Sequence, residues 1–329
     1  MSGRERGYAL LLAVAVVAVL SLAVLAAARV QGDAAAATAR LSERNTEVIG
    51  AESLMNRVAF LMATEPTDGR ALMVGGAQRW DGATLWLDGA WYRVAGMDGA
   101  AIALQDEAGL IDINAADPQA LAALLAYAGV GVRSDTLAAT LLDFVDEDDL
   151  VRDGGAEARD YESLGLPPPP DRALASRWQA LNALGWRQQR LDRTALWDWL
   201  GTGSVDAGLN INTAPAPVLE AMLGDRRRVD AILRRREGAA INDVAEAELL
   251  TSDPERVGGV SFAVTTGRVF RVQAVFGSQR SRHGIERRLE LGGEAATQPF
   301  RWIEEREVRS APLRDGESVI SLSLDAPAS

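Results

Sequence analysis

The chain has 329 residues, a formal net charge of −12 at pH 7, no cysteine and one histidine. Its length allows two domains. The missing cysteine excludes a disulfide framework and thiolate chemistry, and the acidic balance opposes nucleic-acid binding, which needs Lys and Arg to displace counterions from phosphates. The histidine, His283, lies in SQRSRHGIERR, a polar stretch that reads as a turn. It gives no support to a catalytic triad or a multi-ligand zinc site.

Residues 1–7 form a short leader containing Arg4 and Arg6. Residues 8–28 are apolar except for Ser21. At about 1.5 Å per residue this run spans a hydrocarbon core of about 30 Å. The arginines ahead of it place the N-terminus in the cytoplasm, with the rest of the chain across the membrane. A secretory signal is the rival reading, with small residues at Ala26 and Ala28, but signal cores run to only about 7–15 residues. Helical spacing continues over 29–65, where Leu41, Val48, Leu54, Val58, Leu61 and Met62 share a face and no proline intervenes. One long helix is predicted, its outer part amphipathic and packed on a soluble domain.

From Thr84 the apolar period changes to two. Strands are predicted near 84–87, 90–95, 100–106 and 109–113, with hairpin turns at Gly89, Asp98-Gly99 and Glu107 to Gly109. Further strand-like runs occupy 261–277, 284–293 and 301–309, with a possible last strand in the tail. Between them, 114–255 is helical and rich in Ala and Leu. The fold class is therefore α+β: an antiparallel-sheet domain from 66–113 and 256–329, interrupted by an inserted all-α domain at 114–255.

The insertion contains an internal repeat. LIDINAADPQALAALLAYAGVG and LNINTAPAPVLEAMLGDRRR share an apolar-Asn step, a proline, a Leu-containing helix, a glycine turn and a second helix. Asn114 and Asn212 would end the extended segments. Asp117 and Thr213 are the expected N-caps, and Pro118 and Pro215 suit the first turn. The form resembles the helix-hairpin-helix of DNA-binding proteins, including bacterial competence DNA receptors, in which glycines let backbone N–H groups reach a phosphate. The GVG of 129–131 is compatible with that, and GDRRR at 224–228 is basic but lacks the second glycine. The alternative is a scaffold of two hairpins packed on each other. The acidic stretch that follows the first copy favours the scaffold, because it repels phosphate.

That stretch gathers Asp143, Asp146, Glu147, Asp148, Asp149, Asp153, Glu157 and Asp160 around Gly154-Gly155. Crowded carboxylates suit a hard cation taking 6–8 oxygens, although the spacing is not that of an EF-hand. A solvated loop is the plainer alternative, and nothing marks a substrate cleft for a paired-carboxylate hydrolase. LGLPPPPD at 164–171 reads as a stiff spacer. Trp178, Trp186, Trp197 and Trp199 read as core. The basic run at 226–237 reads as a solvated helix face that pairs with the acidic loop.

The N-terminal layout resembles that of type IV pilin-like proteins. In that family a basic leader ending in Gly is cut by a prepilin peptidase and the apolar helix is kept. Gly7 matches the residue before the cut and Tyr8 the new, methylated N-terminus. Ordinary pilins carry Glu at the fifth mature position, where this chain has Leu12. The order of DEAGLIDINAADPQALAALL, the acidic loop with GAEARDY, and LNINTAPAPVLEAML resembles the general secretion pathway protein K family, the minor pseudopilins K of type II secretion, which also lack that Glu.

The resemblance implies a non-enzymatic, single-pass inner-membrane protein with its bulk in the periplasm. It implies a place with minor pseudopilins I and J at the tip of a pseudopilus of major pseudopilin, initiating assembly and supporting export of folded proteins. Implied partners also include the prepilin peptidase and inner-membrane lipid. It carries a calcium site onto Asp146, Asp148, Asp149, Glu157 and Asp160. The alternative function is a membrane-anchored helix-hairpin-helix DNA-binding protein of an uptake system.

Overall fold

A computed structural model describes residues 3–74, 84–97, 99–189, 191, 194–203, 208–251, 260–277, 282–292, 298–308 and 318–320. It divides into two units, residues 1–50 and 51–329.

The first unit belongs to a 62-residue helix, α1 (Gly3–Thr64), whose remainder lies in the second. No proline interrupts the backbone ladder, and Gly32 has open space around it, so its cost is the propensity of about 1 kcal/mol alone. Val14, Val17, Leu20, Leu22 and Leu25 are all exposed. The helix is long and apolar enough to cross a membrane. Apolar side chains on every side of a helix need an apolar surrounding. Gly7, Tyr8 and Leu12 lie in the helical backbone of α1; their side chains fall outside the described part of the structure.

In the second unit, Ala51–Thr64 of α1 presents Ala51, Leu54, Met55, Val58, Leu61 and Met62 to a sheet core. Leu41, predicted on the same face, is exposed. The strands are β1 (Ala71–Met73), β2 (Thr84–Trp86), β3 (Asp88–Val94), β4 (Ala101–Asp106), β5 (Ile111–Asp112), β6 (Leu200–Gly201), β7 (Leu209–Asn210), β8 (Phe262–Ala263), β9 (Val269–Gly277), β10 (Arg282–Leu291), β11 (Phe300–Val308) and β12 (Ser318–Ile320). Six of them form the main sheet, in the order β11-β10-β9-β4-β3-β12. Its pairs are antiparallel except β12 on β3. Strands β4 and β9 are neighbours in register, Ala101 opposite Val275 through Asp106 opposite Phe270. Everything from Glu107 to Arg268 is thus inserted between two paired strands.

Several predicted strand details change. Gly89 is not a turn; it sits inside β3 at φ +81°, at a register shift between Asp88 and Trp91, where the ladder bulges. Glu107 to Gly109 form a 3-10 turn that leaves the sheet, because Asp106 accepts a hydrogen bond from Ala108 N (3.0 Å). A Cβ on Gly109 would stand 2.6 Å from the Thr213 carbonyl carbon, so only glycine lets these backbones meet. The 109–113 run keeps two strand residues, which pair with β6. The 261–277 run splits into β8 and β9. His283 is not in a turn but in β10, opposite Phe276. Asp98 of the predicted Asp98-Gly99 turn lies outside the described residues.

The insertion carries α2 (Pro118–Tyr127), α3 (Ser134–Val145), α4 (Ala158–Ser163), α5 (Leu196–Trp199), α6 (Ala216–Leu223), α7 (Arg226–Gly238) and α8 (Val244–Thr251). Its own core includes Leu121, Leu125, Leu141, Trp186, Trp197, Leu219 and Ile232. As expected, Trp186 and Trp197 are buried, and Trp178 stacks on Trp197 at 4.4 Å.

The two asparagines of the repeat are held alike. Asp112 Oδ1 accepts from Asn114 N (2.9 Å), and Asn210 Oδ1 accepts from Asn212 N (3.0 Å). The Asn114 side chain then exchanges two hydrogen bonds with the Leu174 backbone (2.8 and 3.0 Å), and Asn212 does the same with Ile241 (2.8 and 2.9 Å). Each asparagine imitates a strand pair and clamps the segment that returns after its hairpin. The hairpins meet through α2 and α6. Asp117 caps α2, accepting from Gln119 N and Ala120 N, with Pro118 next. Thr213 is not a cap. Its hydroxyl donates to Asp106 Oδ2 (2.9 Å), and Pro215 takes the cap position of α6. The basic run also departs from expectation. Arg235 pairs with Glu246 (2.6 Å) and Arg236 with Asp88 (3.2 Å), rather than with the acidic loop.

Candidate functional site: the seat of the insertion and the acidic loop

Strand β9 alternates. Phe270, Val272 and Ala274 enter the core shared with α1, while Arg271 and Gln273 point the other way. In a two-layer domain that second face would be wetted. Here the insertion covers it, so its polar side chains are buried and must find partners. Glu107 binds Arg288 with both oxygens (2.9 and 2.9 Å) and has Arg271 at 3.6 Å. Burial pushes the Glu107 carboxyl up, but Arg271 and Arg288 outweigh burial and hold it below its ordinary value. Arg271 also donates to Leu200 O (2.6 Å) and Asp198 O (3.1 Å), and Arg288 to Ala175 O (2.8 Å). Arg177 of the insertion meets Glu286 of β10 at 2.5 Å, and Gln273 donates to the same carboxylate (2.6 Å).

Asp106, fully buried, fixes the two ends of the insertion. It accepts from Ala108 N and Gly267 N on one oxygen and from Asn210 and Thr213 side chains on the other. Burial raises its pKa and the four donors oppose the rise. Sequence reasoning missed this seat. The polar alternation of β9 was its one visible signal.

The acidic loop follows α3. Asp143, fully buried, accepts from the Arg152 guanidinium (2.7 Å) and the Arg152 backbone N–H (3.2 Å). The same guanidinium nitrogen also bonds Asp146. Glu157 is 5% exposed, and both of its oxygens lack a hydrogen-bond partner, as does Asp146 Oδ1. Burial, then Asp143, Asp146, Asp171 and Asp149, push Glu157 up to about 7. Gly155 leaves room for the crowding: a Cβ there would stand 1.9 Å from Asp143 Oδ2.

Of the five residues expected at a calcium site, the structure brings Asp146 and Glu157 together, with Asp149 acting on Glu157 through its charge. It diverts two. Asp148 accepts from Leu150 N (2.8 Å), and Asp160 is exposed and accepts from Glu157 N (3.0 Å). Asp143 joins the centre instead, and Asp171 adds its charge. Among the described residues no three acidic or histidine side chains stand as a group ready to hold a metal ion. Arg152 occupies the space between Asp143 and Asp146. Carboxylates suit a hard cation, but these are not grouped to hold one.

A cavity of about 620 Å³ is lined by Phe144, Leu166, Pro168, Pro170, Leu174 and their neighbours, none of them an acid or a histidine.

A long apolar helix that continues as the packing helix of an antiparallel sheet, with a helical insertion seated on the sheet's other face, is a layout compatible with a single-pass membrane anchor carrying a mixed helix-and-sheet domain. Residues 102–197 and residues 209–260 each match a family model described as type II secretion system protein K. Over these two segments the chain is similar to the type II secretion system protein K family. Among solved structures, it is similar to a chain of the GspK-GspI-GspJ complex of the type II secretion system from enterotoxigenic Escherichia coli, at 17% identity and a TM-score of 0.47, covering 80% of this chain and 95% of that one. No curated protein sequence matches the chain.

Proposed function

We propose that this minor pseudopilin caps the tip of the type II secretion pseudopilus. There it initiates assembly with minor pseudopilins I and J and supports export of folded proteins across the outer membrane. The observation that carries the reading is the family match over the insertion, residues 102–197 and 209–260. The seat supports it physically. Buried Arg–Glu pairs tie the insertion to the sheet, so its bulk cannot swing aside to admit a further subunit. A terminal subunit also accounts for Leu12. An acid at the bilayer centre costs about 2.5–3.5 kcal/mol on insertion scales, and a first subunit has no neighbour ahead of it to pair with that acid.

In this reading the prepilin peptidase cuts between Gly7 and Tyr8, α1 stays in the inner membrane among lipid and major pseudopilin, and the second unit is periplasmic. The role is structural rather than enzymatic. Mass spectrometry of the full chain co-expressed with a prepilin peptidase and pseudopilins I and J tests the reading. A mature N-terminus at Tyr8 and co-purification with I and J are expected. Cleavage after Ala28, or salt-dependent retention on DNA without I and J, would replace it with the signal-peptide or DNA-uptake reading.

A further inference from the structure

The bulge in β3 redirects a tryptophan. Residues three apart on a regular strand point to opposite faces. The extra residue between Asp88 and Trp91 puts both on one face, opposite Gln105 and Ala103 of β4. This is the face that the insertion covers. Trp91 is half-buried there, yet it joins neither of the two hydrophobic cores.

What it lines is a pocket of about 200 Å³ between sheet and insertion. The sheet lends Asp88, Trp91, Gln105, Arg271 and Gln273, and the insertion lends Asp198 and Trp199. The volume is that of roughly six or seven waters at about 30 Å³ each, room for one small ring and not for a chain. Asp198 is exposed, so the pocket is open to solvent on that side.

The polar lining is rich in acceptors. The Gln105 amide nitrogen is spent on Asp106 O (2.8 Å) and Thr213 O (3.1 Å), and that of Gln273 on Glu286 (2.6 Å). Each side chain is left with its carbonyl oxygen to meet a ligand. Arg271 adds a donor. Its terminal nitrogens bind backbone carbonyls of the insertion, while its buried Nε has no hydrogen-bond partner among the described residues. A buried polar atom without a partner calls for one.

Charge narrows the ligand. A cation in the pocket would lie against Arg271, and an anion against Asp198 and Asp88. A neutral molecule meets neither penalty. It has to donate to several oxygens, accept from one nitrogen and lay an apolar face on an indole. Hydroxyl groups donate and accept alike, and the C–H groups on one side of a sugar ring suit the negative face of an aromatic ring. We propose that this pocket is a saccharide subsite that takes one neutral pyranose ring against Trp91 and Trp199, its hydroxyls bonded to Gln105, Gln273, Asp198 and the Arg271 Nε.

Calorimetry and tryptophan fluorescence of the full chain, in a detergent without a sugar headgroup, test this with glucose, N-acetylglucosamine and the tetramer of the latter. Saturable binding of about millimolar strength is expected for at least one of them. Trp91→Ala should weaken it about tenfold and Asp198→Asn about threefold. Asp198 holds Arg271 through its backbone carbonyl, so Asp198→Asn spares the seat and carries the test if Trp91→Ala fails to fold. Arg187→Gln, at the larger cavity, leaves binding unchanged. Tighter binding of the tetramer than of its monomer assigns the site to a glycan strand, and equal binding assigns it to a free or terminal sugar. No saturable binding of any of the three up to about 20 mM, where a millimolar site is nearly full, overturns the proposal. Binding that Asp198→Asn and every folded Trp91 variant leave unchanged overturns it too.

Discussion

Replacing Glu107 with Gln removes the one carboxylate that Arg288 and Arg271 share, with little change of shape. The side chains of Arg288 and Arg271 are 5% and 3% exposed and that of Glu107 is fully buried, so water cannot replace the lost charge. Arg271 retains carbonyl acceptors at Leu200 and Asp198, and Arg288 retains Ala175 O and a longer contact to Glu304 (3.4 Å). Removing one partner of a buried pair costs about 3–5 kcal/mol. At about 2–4 °C per kcal/mol, the melting temperature should fall by roughly 6–20 °C. The assay is a thermal or urea melt of the full chain in detergent. The double variant Glu107→Leu/Arg288→Met, which removes both charges, should recover more than half of the loss, because an apolar pair of similar volume often substitutes without penalty. A single-variant cost below about 1 kcal/mol, the range of exposed pairs, would refute a buried ionic seat. A double variant no better than the single would refute the attribution to an unpaired charge.

Acidification should act through the same seat. Glu107 and Glu286, pushed up by burial but pulled further down by Arg271 and their other arginine partners, sit below their ordinary 4.5 in the folded chain. Their stabilisation is complete above that value and is lost as pH falls through the lower folded values, so melting temperature should drop in acid, and less steeply in Glu107→Gln. Gly155→Ala should cost about 1–3 kcal/mol by melting, since its Cβ would meet Asp143 at 1.9 Å; a neutral result would mean that the carboxylate is not held against this backbone. Asn114→Ala and Asn212→Ala should each cost about 1–3 kcal/mol and be similar in size, because the two side chains make the same pair of bonds to the backbone of a returning segment.

Elements governed by local chemistry were legible in the sequence. The unbroken α1, the cap at Asp117, the period-two strands β3, β4, β10 and β11, and the helical interruption between sheet halves all follow from neighbours within a few residues. What the sequence hid depends on partners far along the chain. Glu107 meets Arg288 across 181 positions. Thr213 reads as a cap until Asp106, 107 positions earlier, claims its hydroxyl. Gly89 reads as a turn because positive φ serves turns and bulges alike, and pairing with β4 selects the bulge. In the acidic loop, composition announced the carboxylates but not their division of labour. Asp148 and Asp160 are spent on nearby backbone N–H groups, and Arg152, which nothing in the sequence singled out, stands among the acids.

The pairing of β4 with β9 has a consequence for how the chain comes to be folded. When β4 emerges from synthesis or translocation, its sheet partner is still separated from it by everything from Glu107 to Arg268. Contacts of such high sequence separation are slow to form, and an unpaired strand edge is open to wrong partners while it waits. An insertion that folds first changes the problem. With Asp106 bonded to Gly267, the two ends of the long detour stand together, and joining β4 to β9 becomes equivalent to closing a short hairpin. A helical domain that folds first would act as a splint, and its folding rate would set the rate at which the sheet is completed.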